Sequence, residues 1–193
     1  MRRRGYRLTR YADDWVVTCR TRKEAHEVLA QAGKILTELG VMLNESKTQI
    51  VHVSRGFEFP GYKIKRGSRR LALPSSKTRS GTREGDLYAY PREKSLQHFM
   101  DQIRKRTRRK APVDTQGLIA EINPVIRGWG LYFCKAHIRK LFARLDRWIL
   151  RRIWSHRFKR WRCRGWKQLP ERRLYNEMGL VRLVFLIPSL NLR

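Results

Sequence analysis

Acid is what this chain has least of for its size. Against 45 Lys and Arg stand 16 Asp and Glu, so its 193 residues carry a formal net charge of +29. A field of that sign implies a polyanionic partner. Nucleic acid fits best, because neutralising phosphates releases counterions and arginine, which outnumbers lysine here, grips phosphate bidentately or stacks on bases. Cysteine is scarce too. Cys19, Cys134 and Cys163 are odd in number and widely spaced, which excludes a disulfide framework and a CxxC zinc signature. His52, His98, His137 and His156 make no metal-ligand spacing with them. Long apolar runs are missing: none approaches the roughly 20 residues of a membrane span, and Met1-Arg2-Arg3-Arg4 leads into no apolar signal core. The chain therefore reads as cytoplasmic and without a membrane partner, yet at 41% hydrophobic it has enough apolar material for a core.

Where acid is rare, two adjacent aspartates stand out. Tyr11-Ala12-Asp13-Asp14 lies between the β-prone runs Tyr6–Tyr11 and Trp15–Thr18, which predicts a hairpin with acid at its tip. Adjacent carboxylates repel each other, so the pair suits a cation, and Mg²⁺ takes such oxygen ligands together with substrate phosphates. A solvated aspartate turn is the alternative reading.

Downstream, Thr21-Arg22-Lys23-Glu24 is a capping box opening a helix on which Ala25, Val28, Leu29, Ala32, Ile35, Leu36 and Leu39 share one face, and Gly40 ends it. Residues 41–53 read as a loop leading into a strand. Pro60-Gly61 between Phe57-Glu58-Phe59 and Tyr62-Lys63-Ile64 predicts a second hairpin through a type II turn. From Arg66 to about Gly85 the chain is basic and aperiodic, a linker or extended loop. Helical signals follow. Leu96, Phe99, Met100 and Ile103 share a face, with Arg104, Lys105, Arg108 and Arg109 at its cationic end. Leu118, Ile119 and Ile122 begin a helix that Asn123-Pro124 should break or kink. A long amphipath runs from about Ala136 to Trp161, with Ile138, Leu141, Phe142, Leu145, Trp148, Ile149 and Ile153 on one side and Lys140, Arg144, Arg147 and Arg151 in a stripe opposite. A stripe of one sign reads as a phosphate-binding ridge; a solvated face is the alternative. The fold class is α+β, with four divisions: 1–66, a small antiparallel unit; 67–90, a basic linker; 91–168, an all-helical domain; 169–193, a tail whose apolar run Leu180–Pro188 suits a strand or a packing segment.

The order of these parts resembles the C-terminal half of a group II intron-encoded reverse transcriptase/maturase: YADD between strands, Leu43-Asn44-Glu45-Ser46-Lys47-Thr48, the Pro60-Gly61 hairpin, then Ile122-Asn123-Pro124-Val125-Ile126-Arg127-Gly128-Trp129 in a basic helical region. The resemblance implies a partial reverse-transcriptase palm followed by an all-α thumb/maturase domain. It implies that Asp13 and Asp14 are catalytic metal ligands for Mg²⁺, that Lys47 acts at the nucleotide phosphates, and that Tyr11, Ala12, Asn44 and Gly61 lie against nucleotide or primer. Arg104, Lys105, Arg108, Arg109, Arg127, Lys140, Arg144, Arg147 and Arg151 would bind structured intron RNA, with Trp and Tyr available for stacking, and a DNA target or primer is a further partner. Pro60, Tyr62 and Trp15 depart from the usual residues around those motifs.

The family takes another metal-binding aspartate from an earlier palm strand, and YADD stands so close to Met1 that the expectation is a truncated or split member, inactive as a polymerase alone and completed by a companion fingers-palm polypeptide. The expected setting is bacterial, with an organellar origin as the alternative. The competing functions are a non-enzymatic basic RNA-binding module, and part of a retron or CRISPR-associated reverse transcriptase.

Overall fold

The computed structural model describes residues 6–66, 87–159 and 165–188. The chain forms two compact units, Met1–Ala89 and Tyr90–Arg193. Most of the expected basic linker, together with Cys163 and Trp161, lies outside the described residues.

In the first unit, β1 (Arg7–Tyr11) and β2 (Asp14–Thr18) pair antiparallel, from Arg7 opposite Thr18 to Tyr11 opposite Asp14, leaving Ala12-Asp13 as a two-residue turn. Helix α1 (Arg22–Glu38) starts as its sequence dictates: the Thr21 hydroxyl accepts the Glu24 N–H at 3.1 Å, and the Glu24 carboxylate reaches back to the Arg20 N–H at 2.7 Å, one residue before the usual capping-box partner. It stops in a Schellman motif. Gly40, at φ 71°, lets its own N–H meet Thr37 O and the Val41 N–H meet Leu36 O.

Strands β3 (Phe57–Phe59) and β4 (Tyr62–Arg66) form the second hairpin, with Phe59 opposite Tyr62 and Gly61 at φ 75°, the left-handed value that its turn position requires. β5 (Leu87–Pro91) joins them in the order β3-β4-β5, so the last residues of the expected linker are a strand. The strand expected before β3 does not form. Residues 49–53 carry no ladder; the Val53 carbonyl accepts from Arg66 and Gly56, tying this run into a turn at the hairpin's base. Among the described residues of this unit, Val28 and Ala32 are the buried ones.

The second unit is helical: α2 (Glu93–Arg106), α3 (Thr115–Phe133), α4 (Arg139–Phe158) and the short α5 (Gly165–Gln168), then a π-type turn Arg173–Glu177 and a 3-10 turn Leu183–Leu186. Its core joins Phe99 and Ile103 of α2, Leu118, Ile119, Ile122, Ile126 and Phe133 of α3, and Phe142, Leu145, Ile149 and Ile153 of α4. Asp114 caps α3 by accepting the Gly117 N–H at 2.9 Å.

Pro124 does not break α3, which runs through it. A proline inside a helix costs about 3 kcal/mol, while each fully buried aliphatic or aromatic side chain contributes roughly 1.5–3 kcal/mol. Five such side chains on α3 depend on its continuity, so burial outweighs the missing N–H. Among the described residues no helix is long and apolar enough to cross a membrane.

The segment after α5, whose role the sequence left open, is a packing strap. Asn123 donates to Gly179 O and accepts the Val181 N–H, both at 2.9 Å. Asp146, buried on α4, accepts the N–H groups of Leu183 at 2.9 Å and Val184 at 3.2 Å. The 3-10 turn lies against both α3 and α4, with Leu183 fully buried. On α4, Phe142, Leu145, Ile149 and Ile153 of the expected apolar side are buried, as are Leu150 and Trp154, while Leu141 and Trp148 of that side are half-buried.

Candidate acidic turn and nucleic-acid interface

The acidic turn is pinned by its own backbone. Ala12 stands at φ 51°, a left-handed conformation that costs an L-residue about 1–2 kcal/mol, and Arg10 Nε donates to Ala12 O at 2.6 Å across the turn. Tyr11, Ala12, Asp13 and Asp14 are all exposed. Two hard carboxylates on a fixed turn suit an oxygen-seeking ion and supply part of its donor set. Among the described residues no group of three or more His, Cys, Asp and Glu side chains could enclose a metal.

Lys47 is exposed on a turn built by Asn44. The Asn44 side-chain oxygen accepts from Ser46 Oγ at 2.6 Å and the Lys47 N–H at 3.3 Å, while its carbonyl accepts the Thr48 N–H and Thr48 Oγ1 at 2.9 and 2.8 Å. Asn44 is thereby the keystone of the turn that presents Lys47. Gly61 owes its identity to its positive φ.

In the helical unit the cations named from sequence separate into two kinds. Lys140, Arg144, Arg147 and Arg151 are all exposed along α4, and Asp146, the acid of that helix, is buried away from them. Lys105 and Arg108 are exposed at the end of α2. Arg127 lines a shallow groove on α3 with Ala120, Pro124, Gly128 and Leu131. Arg104 and Arg109, by contrast, have intramolecular duties. Arg104 pairs with Asp101 at 2.6 Å and lies 5.7 Å from the centre of the Trp148 ring, and Arg109 Nε donates to Ser155 Oγ at 3.3 Å from a half-buried position. That ion pair, with Gln97, holds the Asp101 carboxyl below its ordinary range.

Arg152 was not singled out from sequence. It lies one residue, about 100° of helical rotation, from Arg151, which turns it toward the packed side. Its Nε donates to Thr107 Oγ1 at 2.9 Å and its terminal nitrogen to Thr107 O at 3.1 Å and Arg104 O at 3.3 Å, closing the open carbonyl end of α2. Burial, then the nearby Arg104 and Arg109 charges, push its pKa below the ordinary arginine value.

Trp129 and Trp154 are engaged within the fold. Trp129 stacks on Phe99 at 4.5 Å between ring centres, contacts Phe133 and Phe142, and donates to Ser95 Oγ, while buried Trp154 donates to Leu169 O at 2.9 Å. Trp154 is a core residue, and Trp129 is half-buried with its ring against the core aromatics.

Comparison with protein families assigns both units. The model of the reverse transcriptase (RNA-dependent DNA polymerase) family matches residues 1–64, and that of the group II intron, maturase-specific domain matches residues 96–174. No curated protein matches the chain. The two family matches stand in the same order along the chain as YADD and the Asn123-to-Trp129 motif, and the chain is thus a member of the group II intron reverse transcriptase/maturase family.

Proposed function

We propose that the helical unit grips structured intron RNA through phosphates along α4, and that the acidic turn is the metal-bearing element of a polymerase palm that needs further carboxylates from another polypeptide segment. The first part rests on one observation: Lys140, Arg144, Arg147 and Arg151 form an exposed, acid-free stripe on a helix whose other faces are packed. Over about 16 Å of helix such a stripe tracks a phosphate backbone without reading bases. In this reading Arg104 and Arg109 build the interface and touch RNA less than Lys105, Arg108 and Arg127 do.

Asp13 and Asp14 would hold Mg²⁺, which when bound supplies charge neutralisation for primer hydroxyl and leaving pyrophosphate. Lys47, on its Asn44-built turn, would face the nucleotide phosphates. Tyr11, Ala12 and Gly61 would lie along primer and nucleotide. Two carboxylates do not fill the sites of two ions, so the chain alone is expected not to extend a primer.

The test is RNA binding across a salt series. Replacing Lys140, Arg144, Arg147 and Arg151 by Ala should weaken binding and flatten the dependence of log K on log salt by about 0.9 for each duplex phosphate that is no longer neutralised. An unchanged slope would sink the ridge. Primer extension on an RNA template with Mg²⁺, beside the Asp13→Ala, Asp14→Ala variant, tests the palm, since aspartate-dependent synthesis by the chain alone would refute the need for further carboxylates.

A further inference from the structure

The strap beyond the residues matched by the maturase-specific model carries an exposed aromatic ladder. Phe185 is 76% exposed, the Arg182 guanidinium lies 4.9 Å from the centre of its ring, and the same guanidinium lies 5.2 Å from the ring of half-buried Tyr175. The fold builds this arrangement. In a 3-10 turn residues three apart eclipse, so Leu183 and Leu186 share the inward side. Gly130 gives that side room: a Cβ there would stand 2.8 Å from Leu183 Cδ2 and closer still to Leu186. The same period puts Arg182 and Phe185 together on the outward side. Asp146 then fixes the turn by accepting the N–H groups of Leu183 and Val184.

A large aromatic held at the surface by a rigid turn, one face against an arginine and the chain at +29, has the makings of a base-stacking platform. We propose that Phe185 and Arg182 form a binding site for an unpaired RNA nucleotide, the base stacking on Phe185 and its phosphate drawn to Arg182. Tyr175 backs the arginine from within. The proposal rests on the RNA-binding reading above and adds to it a preference for single-stranded segments, which a phosphate ridge alone does not confer. Duplex bases are stacked on one another and offer no free face.

The full chain and its Phe185→Ala, Phe185→Tyr and Arg182→Ala variants should be titrated with a short single-stranded oligoadenylate RNA and with a blunt RNA duplex of equal length. Phe185→Ala should weaken the single strand roughly tenfold and leave the duplex unchanged. Phe185→Tyr should bind like the parent, because the ring is kept. Arg182→Ala should lower the single-strand salt slope by about 0.7, the value for one phosphate, whereas Phe185→Ala should leave that slope unchanged. A 2-aminopurine in the oligonucleotide should be quenched by the parent chain and not by Phe185→Ala. Equal affinity of parent and Phe185→Ala for the single strand, or equal losses on both RNAs, would overturn the site and leave the ridge standing. Failure of the parent to bind either RNA would overturn both.

Discussion

Asn123 accepts the backbone N–H of Val181 at 2.9 Å while its amide donates to Gly179 O at the same distance. A mid-helix asparagine next to a proline thus does the work of a strand partner, satisfying both polar groups of a strap that has no sheet to join. The family motif around it is anchored to structure at this residue.

Removing that amide should therefore show in stability. Asn123→Ala leaves the Gly179 carbonyl and Val181 N–H without their side-chain partner and should cost about 2 kcal/mol, or roughly 4–8 °C in Tm for a chain of this size. Thermal and urea denaturation give the number. An unchanged midpoint would mean that the strap docks without Asn123.

Asp146 predicts a pH signature. Burial, partly offset by the two backbone N–H groups and by Arg182, raises its pKa above the ordinary carboxylate value, while Glu171 adds to the rise. Its phenolic neighbour Tyr175 is raised as well, by burial first and then by Asp146. A carboxyl raised in the fold binds its proton more tightly folded than unfolded. Its contribution to stability is therefore fully present below the unfolded pKa and falls as pH rises through the folded value. Relative to Asp146→Asn, the parent should lose stability from acid toward neutral pH, and a parent that instead gains stability over the variant as pH rises would refute the assignment.

Arg152 and the α4 stripe should separate by assay. Arg152→Ala opens the carbonyl end of α2 and should cost about 1–3 kcal/mol of stability. Arg151→Ala, on the exposed stripe, should change stability by less than about 0.5 kcal/mol yet lower the salt slope of RNA binding. Similar stability losses in the two variants would erase the distinction between building and binding cations.

Two glycines on α3 should respond in opposite senses. At Gly128 a Cβ meets nothing within 4 Å, so Gly128→Ala should stabilise by up to about 1 kcal/mol through helix propensity. At Gly130 the Leu183 and Leu186 side chains already fill the space. Overpacking there costs about 1–3 kcal/mol and should outweigh the propensity gain. Denaturation midpoints that move in the same direction would contradict the packing of the strap on α3.

Local chemistry was legible wherever neighbours along the chain settle it. The YADD turn, the Thr21–Glu24 cap, the Gly40 stop and the Pro60-Gly61 turn follow from residues within a few positions of one another, and the structure forms each of them. The expected strand before β3 failed for the complementary reason: β-propensity becomes a strand only with a ladder partner, and residues 49–52 have none while Val53 enters a turn.

Composition and motif by themselves determined that this protein is a basic nucleic-acid partner with an acidic hairpin and a helical maturase region, because charge, turn chemistry and helical period are written one residue after another. Only the tertiary structure decided that α3 passes through Pro124, that Trp129 stacks on Phe99, that Arg152 closes α2 while Arg151 faces solvent, and that the strap lies on α3 and α4. Each of those outcomes turns on burial and on hydrogen bonds between residues tens of positions apart, whose combined free energy exceeds the local preference it overrides.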